Sequence, residues 1–141
     1  MKIILSRKGF DSKNGGIPSP ILPDHTLVSL PVPADMADKG SVRYDDIRAP
    51  KVTLGKLVHD LRKVPLHRAH LDPDLRRSAL STRKPGWRAI FGQAGKALSH
   101  LAGEGMDVGD LFLFFGWFRQ TEYVEGHYRF VRGAPHLHVL F

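Results

Sequence analysis

Asp110-Leu111-Phe112-Leu113-Phe114-Phe115-Gly116-Trp117-Phe118-Arg119 is the one long apolar run in the chain. From Leu111 to Phe118 a single glycine interrupts apolar and aromatic side chains, and a charge closes each end. The run is shorter than the about 20 apolar residues a helix needs to cross a bilayer. Aromatic enrichment and the bounding Gly109-Asp110 predict a strand instead. A strand apolar at nearly every position is expected to be covered on both faces, which places it in the middle of a sheet. Gly116 has no side chain to pack, so it predicts a bulge or the close approach of a ligand. Trp117 and Arg119 then stand at a strand's end, either lining a site or completing a core strand.

The sequence has 141 residues, 42% of them hydrophobic and 25% charged, which predicts one globular domain over 1–141. There are no cysteines, so disulfides, thiol nucleophiles and thiolate zinc sites are excluded. Met1-Lys2 leads straight into Ile3-Ile4-Leu5, an apolar run too short for a signal peptide, and a soluble cytoplasmic protein with no membrane partner is expected. The net charge of +7 is gathered in the middle: Arg43 to Lys96 hold 13 Lys and Arg against 5 Asp and no Glu. Such a basic centre suits nucleic acid or the phosphates of a nucleotide, and it equally describes a solvated helical surface.

Outward from the apolar run, Lys2 to Ser6 reads as a first strand, followed by a loop over Ser12-Lys13-Asn14-Gly15-Gly16. Pro18, Pro20 and Pro23 exclude helix, and a second strand is expected from Thr26 to Leu30. Thr53 is placed to cap a helix from Leu54 to about Val64, with Leu54, Leu57, Val58 and Leu61 at helical spacing. Pro73 can open a short helix through Leu80. A second long helix is expected from Trp87 to Ala102, its apolar face Trp87, Ile90, Phe91, Ala94, Leu98 and Leu101, with Gly103 just beyond its end. Gly92 and Gly95 inside it imply close packing, and Gln93, Lys96 and His100 would form one polar stripe. A hairpin over Tyr123–Val131 and a last strand from Leu137 to Phe141 follow. The chain ends on Val139-Leu140-Phe141 with no polar tail, as a buried last strand or a sequence that continues would. The fold class is α/β, mixed α+β: a single domain whose mixed sheet has its central strand at about 110–119 and two to three helices packed on it.

Four groups of residues carry possible chemistry. Ser6-Arg7-Lys8-Gly9, with Gly15-Gly16 beyond it, joins backbone donors to cationic side chains as an anion site does, without the spacing of a Walker or dinucleotide motif. His70-x-Asp72-x-Asp74 sets an imidazole and two carboxylates on one face of an extended chain. There they can act as acid and base, hold a divalent metal, or cap the helix that Pro73 opens. His136-x-His138 reads as a pair of ordinary sheet histidines. Trp117 and Arg119 can stack a base and hold its phosphate.

Five blocks give the chain a resemblance: Ile4 to Asp11, Gly15 to Ile21, His70 to Leu75, Phe91-Gly92-Gln93 and Gly109 to Arg119. Together, in this order, they resemble the nucleotide modification associated domain 3 family. The resemblance implies a bacterial or phage protein associated with base modification of DNA or nucleotides, and a last strand that continues past Val139. It carries over no catalytic residue and implies no cofactor. The residues therefore supply the expected site: His70 and Asp72 as catalytic groups, and Ser6, Arg7, Lys8, Asp11, Gly15, Gly16, Gln93, Trp117 and Arg119 as nucleotide or phosphate ligands. A non-catalytic module that captures a nucleotide messenger or modified DNA, and a structural domain that binds a partner protein, are the alternatives. Arg7 and Arg119 are expected to meet at one anion site through parallel neighbouring strands.

Overall fold

The computed structural model describes residues 1–141. In chain order it has strands β1 (Ile3–Arg7), β2 (Ser19–Ile21), β3 (Val42–Arg43), β4 (Arg48–Ala49) and β5 (Val52–Thr53). Helix α1 (Leu54–Leu61), strand β6 (Arg68–Ala69) and helix α2 (Gly95–Gly103) lead to strands β7 (Leu111–Val124), β8 (His127–Phe130) and β9 (His136–Leu140). The mixed α/β class and the central strand are as the sequence predicts, with two helices.

β7 carries every pairing of the main sheet. β1 and β2 both run parallel to it, Ile3–Arg7 against Leu111–Phe115 and Ser19–Ile21 against Phe118–Gln120. β9 runs antiparallel, with Leu140 opposite Phe115 and His136 opposite Arg119. A strand has two edges, and β2 and β9 share Phe118 and Arg119 as partners, so they lie on opposite edges. The same argument at Phe115 separates β1 from β9, so β1 and β2 follow one another along one edge. The Phe114 and Gln120 carbonyls take N–H groups from Phe141 and Val131, which sets β8 and β9 along the other.

Only one face of the β1–β7–β9 sheet is well covered, contrary to the expectation of a strand buried on both sides. Within β7 only Gly116, Phe118 and Thr121 are buried. Register puts Ile3, Leu5, Leu111 and Leu140 on one face, and these are 59%, 65%, 45% and 56% exposed. The other face takes Phe91 against Phe112 and Phe114 at 4.9 and 5.0 Å between ring centres, and Phe141 against Phe118 at 5.5 Å. The physical reason lies in where the apolar mass went. The core cluster, with Phe10, Leu22, Val28, Leu30, Tyr44, Ile47, Leu54, Leu57 and Val58, is built mainly from the segment before α1 and from α1 itself, joined by Ala69 and Ala79 from beyond it. α2 has no buried residue and covers little.

Local expectations divide the same way. Thr53 caps α1 as predicted, its hydroxyl accepting from the Lys56 N–H, although the helix ends at Leu61. The strand predicted at Thr26–Leu30 makes only an isolated bridge, Ile21 to Leu27, while the proline-flanked Ser19–Ile21 pairs with β7. Ser19 and Pro20 hold that segment close, through the Leu30 N–H to Ser19 Oγ and the Val28 N–H to the Pro20 carbonyl. From Pro73 to Leu80 there is no α-helix, only a 3-10 turn at Arg77–Ala79. The long second helix begins at Gly95 rather than Trp87, because Ile90 gives both its backbone groups to a bridge with Asp74. Gly92 and Gly95 have no neighbour that a Cβ would touch, so close packing is not why they are there. Gly103 is the last residue of α2, not the one beyond it. Gly116 does mark a close approach, but from within: a Cβ there would come to 2.8 Å from the Phe118 ring and 3.1 Å from the Lys8 carbonyl.

Candidate functional site

β1 reaches its end at Arg7, yet the Lys8 N–H still donates to the Phe115 carbonyl at 2.8 Å and holds the next residue in register. Strand alternation then turns Lys8 to the covered face, where Ser6 lies beside Phe114. Its Nζ stands 4.2 Å from the centre of the Phe91 ring and 6.0 Å from that of Phe114. The side chain is 11% exposed, and the nearest carboxylate oxygen, on Asp72, is 3.9 Å away. Desolvation pushes the Lys8 pKa down, with the Asp72 charge opposing it. At that distance Asp72 attracts the ammonium without a direct hydrogen bond, so its donors remain available. Cation–π attraction to Phe91 contributes part of what burial removes.

Asp72 is positioned by one backbone contact, the Gly92 N–H donating to its Oδ1 at 3.2 Å. Asp74, two residues on, is occupied. Arg83 donates both terminal nitrogens to its two oxygens at 2.6 Å each, and the Trp87 indole N–H reaches Oδ2 at 3.3 Å. The Arg83 guanidinium also lies 4.3 Å from the Trp87 ring centre, so these three form a neutral wall. Between this wall, the end of β1 and the sheet opens a crevice of about 320 Å³, lined by Lys8, Gly9, Ser29, Asp72, Arg76, Phe114 and Phe141 among others. Aromatic faces with one ammonium and one carboxylate suit a flat, polar-edged ligand.

The family model of nucleotide modification associated domain 3 matches residues 2–141. The chain belongs to this family. No curated protein and no solved structure matches it.

In this member of the nucleotide modification associated domain 3 family, the remaining expected residues fall into several places. Ser6 is buried two residues before Lys8, where the crevice lining begins. Arg7 points to the opposite face and pairs with Asp11 at 3.0 Å. Asp11 takes the backbone N–H groups of Lys13 and Asn14 at 2.8 and 2.7 Å. The loop from Arg7 to Gly16 thus encloses an anion of its own, which takes the Arg7 guanidinium, the Lys13 and Asn14 N–H groups and the Asn14 amide. Burial raises the Asp11 pKa, but the Asn14, Lys13 and Arg7 contacts outweigh it and hold the carboxyl below its ordinary range. Gly15 (φ 89°) lies against the Phe10 ring and gives its carbonyl to Arg62, and the Gly16 N–H goes to the Asp11 carbonyl.

Arg7 and Arg119 do sit on parallel neighbouring segments, but not side by side. Arg7 is in register with Phe115, four residues before Arg119, or about 13 Å at the rise of a strand. Arg119 donates to the Val131 carbonyl and its guanidinium faces the Phe130 ring at 5.6 Å. Trp117 gives its indole N–H to His136 Nδ1 at 3.1 Å, across the β7–β9 pair. His70 pairs with Asp38, away from Asp72. So His70, Asp72 and Asp74 have three different partners, and no group of three acidic or histidine side chains is placed to hold a metal ion. Gln93 lies outside any helix and lines a groove between β1 and α2 that shares Lys8 with the crevice.

Of the expected set, the crevice therefore gathers Lys8 and Asp72, and it adds Phe114, Phe141 and Arg76, while Phe91 backs Lys8 from a neighbouring groove. By its spacing Phe91 reads as one more apolar position of a helix, and the block Phe91-Gly92-Gln93 gives it no role of its own. The available signal against that was Pro85-Gly86 before it and Gly92 after it, both helix breakers.

Proposed function

We propose that this protein recognises a nucleobase in the Lys8–Asp72 crevice, in the service of the base modification with which its family is associated. The observation that carries the reading is Lys8 itself: an ammonium on a side chain only 11% exposed, above an aromatic ring and with no hydrogen-bond partner in the protein. Such a group is retained at a cost in solvation, which a ligand carbonyl, ring nitrogen or phosphate offsets. Phe114 and Phe141 supply apolar surface for a flat ring, and Asp72 accepts from a base N–H, whether a ring imide or an exocyclic amine. His70 and Asp74 are engaged elsewhere, which leaves Asp72 with Lys8 as the pair for any acid–base step. Capture without chemistry needs no more than these same groups.

Incubation with a panel of nucleotides, followed by mass spectrometry of the species retained, tests the reading. An altered nucleotide identifies an enzyme, and an unaltered one a binding module. Failure to retain any member of the panel removes nucleobase recognition and leaves a domain that binds a partner protein.

A further inference from the structure

On the far side of Arg76 from the crevice lies a second, larger depression of about 760 Å³. Arg48, Lys51, Lys56 and Arg76 line it together with Tyr123 and Tyr128. Lys51 is paired with Asp24 at 2.7 Å and Lys56 with Asp60 at 2.8 Å. Arg48 and Arg76, both exposed, have no carboxylate within ion-pair distance. The two tyrosine rings lie 4.7 Å apart at 56°, with Tyr123 52% exposed, and Lys56 Nζ stands 5.8 Å from the Tyr123 ring centre. A basin with unpaired guanidiniums beside one exposed aromatic ring, Tyr123, backed by the half-buried Tyr128, suits phosphates and a base face. Arg76 lines both this basin and the crevice, so the two adjoin at its side chain.

We propose that crevice and basin form one track and that its ligand is single-stranded nucleic acid. One base enters the crevice, while the neighbouring phosphates lie on Arg76 and Arg48 and an adjacent base stacks on Tyr123. This rests on nucleobase recognition in the crevice and extends it to a polymer. A free mononucleotide satisfies only one of the two cationic positions. A duplex presents no unpaired base face to either the crevice or the tyrosines.

Three probes separate the possibilities by fluorescence anisotropy or calorimetry on the full chain: dTMP, an oligo(dT) of about twelve nucleotides, within the usual span of single-strand sites, and the matching duplex. The oligonucleotide is expected to bind more tightly than both others, and more weakly as salt rises. Arg48→Glu and Tyr123→Ala, both on exposed side chains outside the crevice, should each weaken oligonucleotide binding about tenfold, the scale of one lost stacking or charge contact. Arg48→Glu should also flatten the salt dependence by about 0.7 in log–log slope for each lost phosphate contact. Neither change should alter dTMP binding. Oligonucleotide affinity unchanged in both variants, with dTMP still bound, overturns the track alone. Binding of the duplex or of polyglutamate as tight as that of the single strand overturns it too. If dTMP and oligo(dT) both fail to bind, the crevice reading falls, and the track with it.

Discussion

Lys8 keeps its charge at an unfavourable address, and that has consequences for pH. Its pKa is lowered chiefly by desolvation, so the unfolded chain holds this proton more tightly than the folded one. The resulting deficit in stability is full at neutral pH and shrinks as pH climbs to the ordinary lysine value of about 10.4. Lys8→Met is therefore expected to melt at or above the wild-type temperature at pH 7, with the difference narrowing toward pH 10, while nucleotide capture is lost. A lower melting temperature at pH 7 would mean that the Asp72 attraction, not burial, governs this residue. Asp60 has the opposite sign. Its side chain is 1% exposed and meets Lys56, His59 and His127, besides the Tyr128 N–H at 2.9 Å. Burial raises its pKa, but the hydrogen bonds led by Lys56 outweigh this and hold it well below the carboxylate range. The stability it adds is full above the ordinary aspartate value of about 3.9 and is lost progressively below it, until the folded carboxyl protonates. Asp60→Asn should cost about 1–3 kcal/mol at pH 7, and calorimetry should show the gap to wild type closing below pH 4. A gap independent of pH would place the loss in packing. Lys8 and Asp72 were legible as candidates because a charged residue just past a strand and a carboxylate before proline are local signals. Their convergence was not, because it depends on where Phe91 and Gly92 pass, some twenty residues further on.

Among the elements, those whose sequence satisfied several demands at once formed as read. α1 has both a cap at Thr53 and an apolar face, with Leu54, Leu57 and Val58 buried. Thr53→Ala is expected to lower stability by about 1 kcal/mol through the lost cap, and a loss below a few tenths would show the 3.3 Å contact to Lys56 to be idle. The segment from Trp87 to Ala94 had the apolar spacing alone. Gly86 there has a φ of 78°, and the backbone of Ile90 is spent on Asp74, so spacing lost to backbone geometry. Three glycines rank the same forces. At Gly15 a Cβ would lie 2.2 Å from the fully buried Phe10 ring, with φ at 89°. At Gly116 the approach is 2.8 Å to Phe118, and at Gly86 there is open space with φ at 78°. Alanine is expected to be worst at Gly15, where strain and overlap add. Gly116→Ala should cost about 1–3 kcal/mol by overpacking, and Gly86→Ala about 1 kcal/mol from its φ alone. Denaturant titration of the three gives the order, and Gly86 at the bottom of it is the outcome that matters for separating conformation from contact.

At the scale of the whole molecule, apolar side chains serve two different ends. One population builds the core beside the sheet, where Phe10, Leu30, Ile47 and Leu57 are fully enclosed. The other runs along the uncovered face through Ile3, Leu5, Leu111 and Leu140. Composition cannot separate these populations, since the same residue types occur in both, and a nearly unbroken apolar strand reads as buried whichever face is bare. Register separates them, because it fixes which residues share a side. Leu5→Lys and Leu140→Lys are accordingly expected to shift stability by no more than about 0.5 kcal/mol, as surface changes do. Both should reduce the binding of a hydrophobic dye, because a contiguous apolar patch is what such a dye finds. Phe118→Ala, on the covered face and fully buried, should lose about 3–5 kcal/mol. Melting and dye binding measured on the three variants decide the matter. If Leu5→Lys is as damaging as Phe118→Ala, the face is enclosed in solution and its leucines belong to an interface.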